Sequence, residues 1–154
     1  MITLHTITEQ DIHTTIAAGE FPEHIRTAAE HVAIISTQDW CPDWKAMQRW
    51  LNEEAAPRST AANPAAAATP APSPATASPD ADTAAPASAN PDNVAVFVIV
   101  YNTAPYQQEF MQLKEGTWKN GFIPYVRYYH HGQYLGDSNH LPRDRFYQRF
   151  GISP

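Results

Sequence analysis

The stretch that decides the fold is His31-Val-Ala-Ile-Ile-Ser36, followed shortly by Trp40-Cys-Pro-Asp-Trp44. The first segment is a short apolar run rich in β-branched side chains, which is typical of a buried parallel strand. Residues 45–54 come next and carry apolar side chains at helical spacing. We therefore predict that Cys41 lies at a turn from a strand into a helix.

The residue after Cys41 sets the start of this helix. Proline is favoured at the first helical position, so Pro42 places Cys41 at the N-cap. Unpaired backbone N–H groups and the helix dipole at that position favour a thiolate over a thiol. Asp43 opposes this effect by like charge, and Lys45 partly offsets Asp43. We expect the helix terminus to activate the Cys41 thiol.

The other apolar patterns alternate between the strand and helix periods. A capping box at Thr8 and a glycine at Gly19 bound the first predicted helix. Residues 94–101, VAVFVIVY, are the most apolar stretch and are predicted to form the central strand. The remaining predicted elements are a first strand at 2–7, an amphipathic turn near 21–29, a helix at 106–113, a hairpin of 122–129 with 133–135, and a closing helix around 146–150.

An insertion separates the two halves of this pattern. Residues 55–93 are almost entirely Ala, Pro, Ser, Thr, Asn and Asp, with no aromatic or branched aliphatic side chain. Such a segment cannot bury enough apolar surface to offset its ordering entropy, so we predict that it is disordered. Each flank is too short to be a domain. We therefore predict a single domain formed by residues 1–54 and 94–154.

Composition limits the classes of partner. The chain has 154 residues and a formal net charge of −6, which opposes general binding to nucleic acid or to an anionic membrane surface. No apolar run approaches the ~20 residues that cross a bilayer, and the amino terminus carries no basic segment before an apolar one. We expect a cytoplasmic protein whose partners are proteins or small-molecule thiols and disulfides.

The order of these elements, with WCPDW after the second strand, resembles that of the thioredoxin family. The resemblance implies an α/β fold, a three-layer sandwich with a central mixed sheet flanked by helices. Trp40, Cys41, Pro42 and Asp43 fit the first four positions of the family's WCxxC motif, and Trp44 replaces its second cysteine. Because Cys41 is the only cysteine in the chain, no disulfide can form within it.

Ile123-Pro124, before the hairpin, matches the cis-proline element of the same family. In that family the element packs beside the active cysteine and offers its backbone to an extended substrate, and we predict a cis bond here. The glycine-bearing turn and final strand that follow it match residues 130–136. Thioredoxins usually carry a buried acid six residues before the active cysteine, whereas this chain has Ile35. Reduction of a conventional disulfide is therefore not expected.

The sequence is consistent with two functions. In the first, Cys41 is catalytic and performs monothiol thiol–disulfide exchange, with an external thiol such as glutathione releasing the product and no bound cofactor. In the second, the chain is a redox-inactive binding module that uses the surface around Trp40, Trp44 and Pro124. The substrate-binding residues that the resemblance implies are Trp40, Pro42, Asp43, Trp44, Ile123 and Pro124.

The histidines are interpreted as structural, and no metal site is predicted. Adjacent residues of a hairpin point to opposite faces, which is expected to separate the imidazoles of His130 and His131. The other five histidines, His31 among them, show no ligand spacing with the cysteine and are interpreted as surface or helix-end residues. The sequence also lacks a phosphate-binding glycine loop, an HExxH segment and a GxSxG elbow, which argues against a nucleotide enzyme or a hydrolase.

Overall fold

Strands and helices alternate along the two ranges that the computed structural model describes, residues 1–56 and 93–154. The insertion predicted to be disordered lies outside the described residues except at its ends, and Ala55 is the last residue of a helix. The elements in chain order are β1 (Ile2–His5), α1 (Glu9–Ala18), α2 (Glu23–Arg26), β2 (His31–Thr37), α3 (Pro42–Ala55), β3 (Val94–Val100), α4 (Gln107–Gln112), a π-helical turn (Leu113–Thr117), β4 (Tyr125–His130), β5 (Gln133–Ser138) and α5 (Arg143–Gln148).

The five strands form one mixed sheet in the order β1-β3-β2-β4-β5. β3 is parallel to both β1 and β2, whereas β4 is antiparallel to β2 and to β5. Both described ranges contribute strands, so residues on either side of the insertion share the sheet. This arrangement matches the predicted mixed sheet flanked by helices.

The position of the most apolar strand differs from the prediction. We expected residues 94–101 to be central, but β2 occupies the centre and β3 lies beside it. Both strands have a neighbour on each side, and β2 is buried at all seven positions. An apolar run indicates that a strand is buried on both faces of a sheet. It does not indicate which of two interior strands lies at the centre.

Alternate residues of β2 point into two separate cores, which gives the sandwich its three layers. Ala33 and Ile35 pack with apolar side chains of α3 and α5. Val32 and Ile34 pack on the other face with side chains of α1, α2 and α4. Among the described helices none is both long enough and apolar enough to span a membrane.

Candidate functional site

Cys41 lies where the chain leaves the central strand and enters α3. Its backbone is extended, with φ −68° and ψ 119°, and Pro42 takes the first turn of the helix as the sequence predicts. The Cys41 N–H donates to the Gln38 carbonyl at 3.3 Å, and the Cys41 carbonyl accepts the first helical bond from Lys45 at 3.1 Å. These bonds fix the cysteine at the amino end of a 14-residue helix.

The Ile123-Pro124 segment lies directly against the thiol. The peptide bond between these two residues is cis. The Cys41 Sγ is 3.8 Å from the Ile123 carbonyl oxygen, to which it can donate its proton. No described residue accepts a hydrogen bond from the Ile123 N–H. The geometry therefore brings together two segments that lie 82 residues apart in sequence.

Paired side-chain amides hold the loop before the cis bond. Asn120 and Asn139 each donate to the other's amide oxygen, at 3.1 and 3.0 Å. Asn139 also donates to the Pro124 carbonyl at 3.2 Å, and Asn120 Oδ1 accepts from the Phe122 N–H at 3.0 Å. The backbone opposite the thiol is thus positioned by hydrogen bonds on both sides. Neither asparagine was identified from the sequence, because only their contact across 19 residues reveals the pair.

A buried lysine also binds the loop before the cis bond. Lys114, in the π-helical turn, is fully buried, and its Nζ donates to the Asn120 carbonyl at 2.7 Å. Its ammonium group also lies 5.6 Å from the centre of the Tyr125 ring. Because burial disfavours the charged form, the pKa of Lys114 is lowered from 10.5 to about 8.

The loop before Cys41 is tied to the neighbouring loop after β3. The Trp40 indole N–H donates to the Gln38 side-chain oxygen, and the Gln38 amide donates to the Tyr101 hydroxyl at 3.3 Å. Asp39 and Asn102 exchange two hydrogen bonds of 3.1 and 2.8 Å. Trp40 is nevertheless 59% exposed, so its ring is anchored by one edge and open to solvent.

Two exposed aromatic side chains adjoin in sequence the residues that meet at the thiol: Trp40 precedes Cys41, and Phe122, which is 74% exposed, precedes Ile123. Phe122 precedes the cis-proline element directly. Phe122 is the first residue of the strand predicted over 122–129, whereas β4 begins at Tyr125. The one signal that could have identified it is its place directly before Ile123-Pro124.

Trp44 does not share this surface, although it belongs to the predicted substrate-binding set. Trp44 is only 4% exposed and packs in the core with Met47 and Leu51, three and seven residues further along α3. That spacing places all three side chains on one helical face. Pro124 is also buried, whereas Pro42 and Asp43 are exposed and Ile123 is half-buried. The substrate-binding set therefore divides into surface residues and residues that support them.

The thiol is enclosed between the amino end of α3 and the Ile123-Pro124 segment. Helix N-termini in general favour negative charge. Cys41 is only 4% exposed, and its sulfur lies 3.8 Å from the Ile123 carbonyl oxygen. Ile35 is fully buried in the same core cluster, so the position matched to the family's buried acid supplies no carboxylate.

Two expectations about the histidines are wrong. The ring centroids of His130 and His131 are 4.2 Å apart rather than separated. His131 lies in the turn with φ 48°, where strand alternation does not apply. His31 is buried at the start of β2 and is not a surface residue.

Comparison with known proteins supports the fold. No protein-family model matches the chain, and no curated protein matches it by sequence. A redox protein from Chlamydomonas reinhardtii is similar over 99% of this chain and 36% of its own length, with a TM-score of 0.50 and 11% identity. Trxlp from Edwardsiella tarda (TM-score 0.43, 13% identity, 90% of this chain and 88% of its own) and thioredoxin O2 from Arabidopsis thaliana (TM-score 0.47, 9% identity, 94% and 88%) are also similar. At these identities the likeness concerns the fold, which is thioredoxin-like.

Proposed function

We propose that this thioredoxin-like protein performs monothiol thiol–disulfide exchange through Cys41. The observation that carries the proposal is the position of the Cys41 sulfur, at the amino end of α3 and 3.8 Å from the Ile123 carbonyl. A helix N-terminus stabilises negative charge on sulfur, which is the attacking form in exchange. The Ile123 N–H beside it supplies a backbone donor for an extended chain, and Trp40 and Phe122 supply apolar contact.

The reaction proceeds in two balanced steps. The Cys41 thiolate attacks one sulfur of a disulfide, forms a new S–S bond and expels the other sulfur as a thiolate. Trp44, three residues later in the chain, has no sulfur with which to attack this mixed disulfide. An external thiolate, for which glutathione is the proposed source, then attacks the mixed disulfide and regenerates the Cys41 thiolate. The substrate sulfur leaves as a disulfide with the external thiol, and Cys41 returns to its starting thiolate.

The burial of Cys41 favours a second candidate function. A thiol that is only 4% exposed and lies against a carbonyl oxygen is shielded from an attacking disulfide, as structural buried cysteines are. In that case the chain is a redox-inactive binding module. Its contact surface would be Trp40 and Phe122, with Trp44 and Pro124 supporting that surface from the core.

Reaction with glutathione disulfide separates the two functions. We expect the native chain to form a one-to-one mixed disulfide, detected by intact mass, that added reduced glutathione reverses. The Cys41→Ser variant should form none, and insulin reduction without added glutathione should be negligible. If the folded chain forms no adduct while the chain unfolded in guanidinium chloride does, the thiol is present but protected, and the binding module is favoured.

A further inference from the structure

A second group of polar side chains lies at the opposite end of the central strand from Cys41. His31 is the first residue of β2, and Glu30 directly precedes it. His130, the last residue of β4, is paired with His31 across the sheet. His131 follows in the hairpin turn. With a rise of ~3.3 Å per residue, the length of β2 alone separates this group from the Cys41 end by roughly 20 Å.

Three imidazole nitrogens converge on one carboxylate oxygen. The Nε2 atoms of His130, His131 and His31 lie 3.3, 3.7 and 3.9 Å from Glu30 Oε1. The ligand atoms of Glu30, His31 and His130 all lie within 4.8 Å of one another. The ring of His130 stacks on that of His31 with a centroid distance of 4.9 Å.

Contacts to the backbone hold the hairpin turn against the loop before β2 independently of any ion. The His131 N–H donates to the Glu30 carbonyl at 2.9 Å. Arg26 donates to the Gly132 carbonyl at 2.7 Å, which ties the hairpin turn to the end of α2. Gly132 has φ 76°, and a Cβ placed there would lie 2.8 Å from the Thr27 methyl group. The turn and the loop before β2 therefore meet in a close fit that holds the histidines beside Glu30.

We propose that Glu30, His31 and His130 bind a divalent transition-metal ion of the zinc type, with His131 as the fourth ligand. Neutral imidazoles and a carboxylate are ligands that Zn²⁺ accepts, whereas Mg²⁺ and Ca²⁺ prefer oxygen ligands. Tetrahedral coordination at about 2.0–2.1 Å places neighbouring ligand atoms ~3.3 Å apart. The Glu30–His130 separation of 3.3 Å already fits that distance, and the other two contacts to Glu30 are 3.7 and 3.9 Å. The ligand atoms of Glu30, His31 and His130 span up to 4.8 Å, so the side chains would close by about 1.5 Å around an ion.

Four protein ligands would close the coordination sphere. Closed tetrahedral sites are structural, because no position remains for a reacting water. An ion here would join the start of β2, the end of β4 and the hairpin turn. We therefore expect the ion to stabilise this end of the sheet, independently of the chemistry proposed for Cys41.

Zinc titration of the full chain tests the proposal. Cys41→Ser serves as the parent, because it removes the thiol as a competing ligand. In competition with a chromophoric chelator, we expect one Zn²⁺ per chain, with binding weakened at least ~10-fold by Glu30→Gln and by His130→Asn, since even outer-shell changes cost that much. The matched control is His24→Asn, which removes another histidine–carboxylate contact, 3.1 Å from Asp11, outside the group. It should leave the affinity unchanged.

Thermal unfolding gives a second readout. Zn²⁺ should raise the Tm of the parent and of His24→Asn, but not that of His130→Asn, and Mg²⁺ at the same concentration should raise none of them. His131→Asn keeps a residue that tolerates the positive φ of the turn, so a loss of affinity there identifies the fourth ligand. Equal Zn²⁺ affinity in the parent, Glu30→Gln and His130→Asn would overturn the proposal. No Zn²⁺ effect on the Tm of the folded parent would overturn it as well.

Discussion

The two ends of the central strand are built by different means. At the carboxyl end, a helix N-terminus meets a loop that the Asn120–Asn139 amide pair holds in place, and one nearly buried sulfur lies between them. At the amino end, strand register and a tight turn bring titratable side chains around one carboxylate. The carboxyl end presents exposed aromatic rings to solvent, whereas the amino end presents converging nitrogen atoms. The two proposals therefore place separate chemistry at the two ends of one strand.

The largest expected effect distinguishes the two tryptophans at the carboxyl end. Trp44→Ala removes a buried ring from the core and should lower the free energy of unfolding by about 3–5 kcal/mol. The matched control Trp40→Ala changes an exposed ring and should alter it by no more than about 0.5 kcal/mol. Urea denaturation of both variants provides the measurement. Equal losses of stability would contradict the assignment of Trp44 to the core.

The next effect tests the tight turn at the amino end. Gly132→Ala places a Cβ in the left-handed region, at a cost of about 1–2 kcal/mol, and forces it against Thr27. The control is Gly151→Ala, which has φ 70° and no atom within 4 Å of the added Cβ. We expect Gly132→Ala to lose at least ~1 kcal/mol more than Gly151→Ala, because overpacking adds to the backbone strain.

Zinc titration of the same two glycine variants links this turn to the proposed metal site. Gly132→Ala should weaken Zn²⁺ binding, because it displaces the residue next to His131, whereas Gly151→Ala should not. Equal losses of unfolding free energy in Gly132→Ala and Gly151→Ala, measured by urea denaturation, would contradict the close contact between the turn and Thr27.

The smallest effect is a dependence of folding stability on pH, which arises from Lys114 at the Cys41 end of the sheet. The pKa of Lys114 is about 8 in the folded chain and 10.5 ordinarily, so the unfolded chain binds more protons between these values. Stability should therefore rise with pH, by about 1–2 kcal/mol between pH 8 and 9.5. Lys114→Met should abolish the rise.

The pH series requires two controls. It is best run in the Cys41→Ser background, so that thiol ionisation does not contribute. Lys45→Met, at an exposed position, should keep the rise. If the unfolding free energy of Lys114→Met rose with pH as steeply as that of its parent, the buried ammonium group would not be the source of the rise.

Local sequence signals predicted much of the fold. The Thr8 side chain accepts from the Asp11 N–H at 3.1 Å, and Gly19 closes α1 with φ 76°, as the capping pattern indicated. The start of α3 at Pro42 followed from the proline. The Cys41–Ile123 contact spans 82 residues, and it was expected only through the resemblance to the thioredoxin family.

The histidine group could not be predicted because its geometry depends on tertiary structure. His31 and His130 meet through the β2–β4 register, which no local pattern specifies. The proximity of His130 and His131 depends on the positive φ of His131. Trp44 differs, because its spacing to Met47 and Leu51 is that of one helical face and could have predicted its burial. The prediction followed the motif match instead and placed Trp44 in the binding surface.

The pH dependence of alkylation at Cys41 tests the central claim most directly. The rate with a small haloacetamide is measured at pH 6.5 and at pH 9 on the folded chain, and again on the chain unfolded in guanidinium chloride. For each state of the chain, the rate at pH 6.5 is divided by the rate at pH 9. This ratio cancels the effect of burial on access to the sulfur. If the helix terminus activates the thiol, the folded chain retains a larger share of its alkaline rate at pH 6.5 than the unfolded chain does. An equal or smaller share in the folded chain would contradict the proposed exchange chemistry.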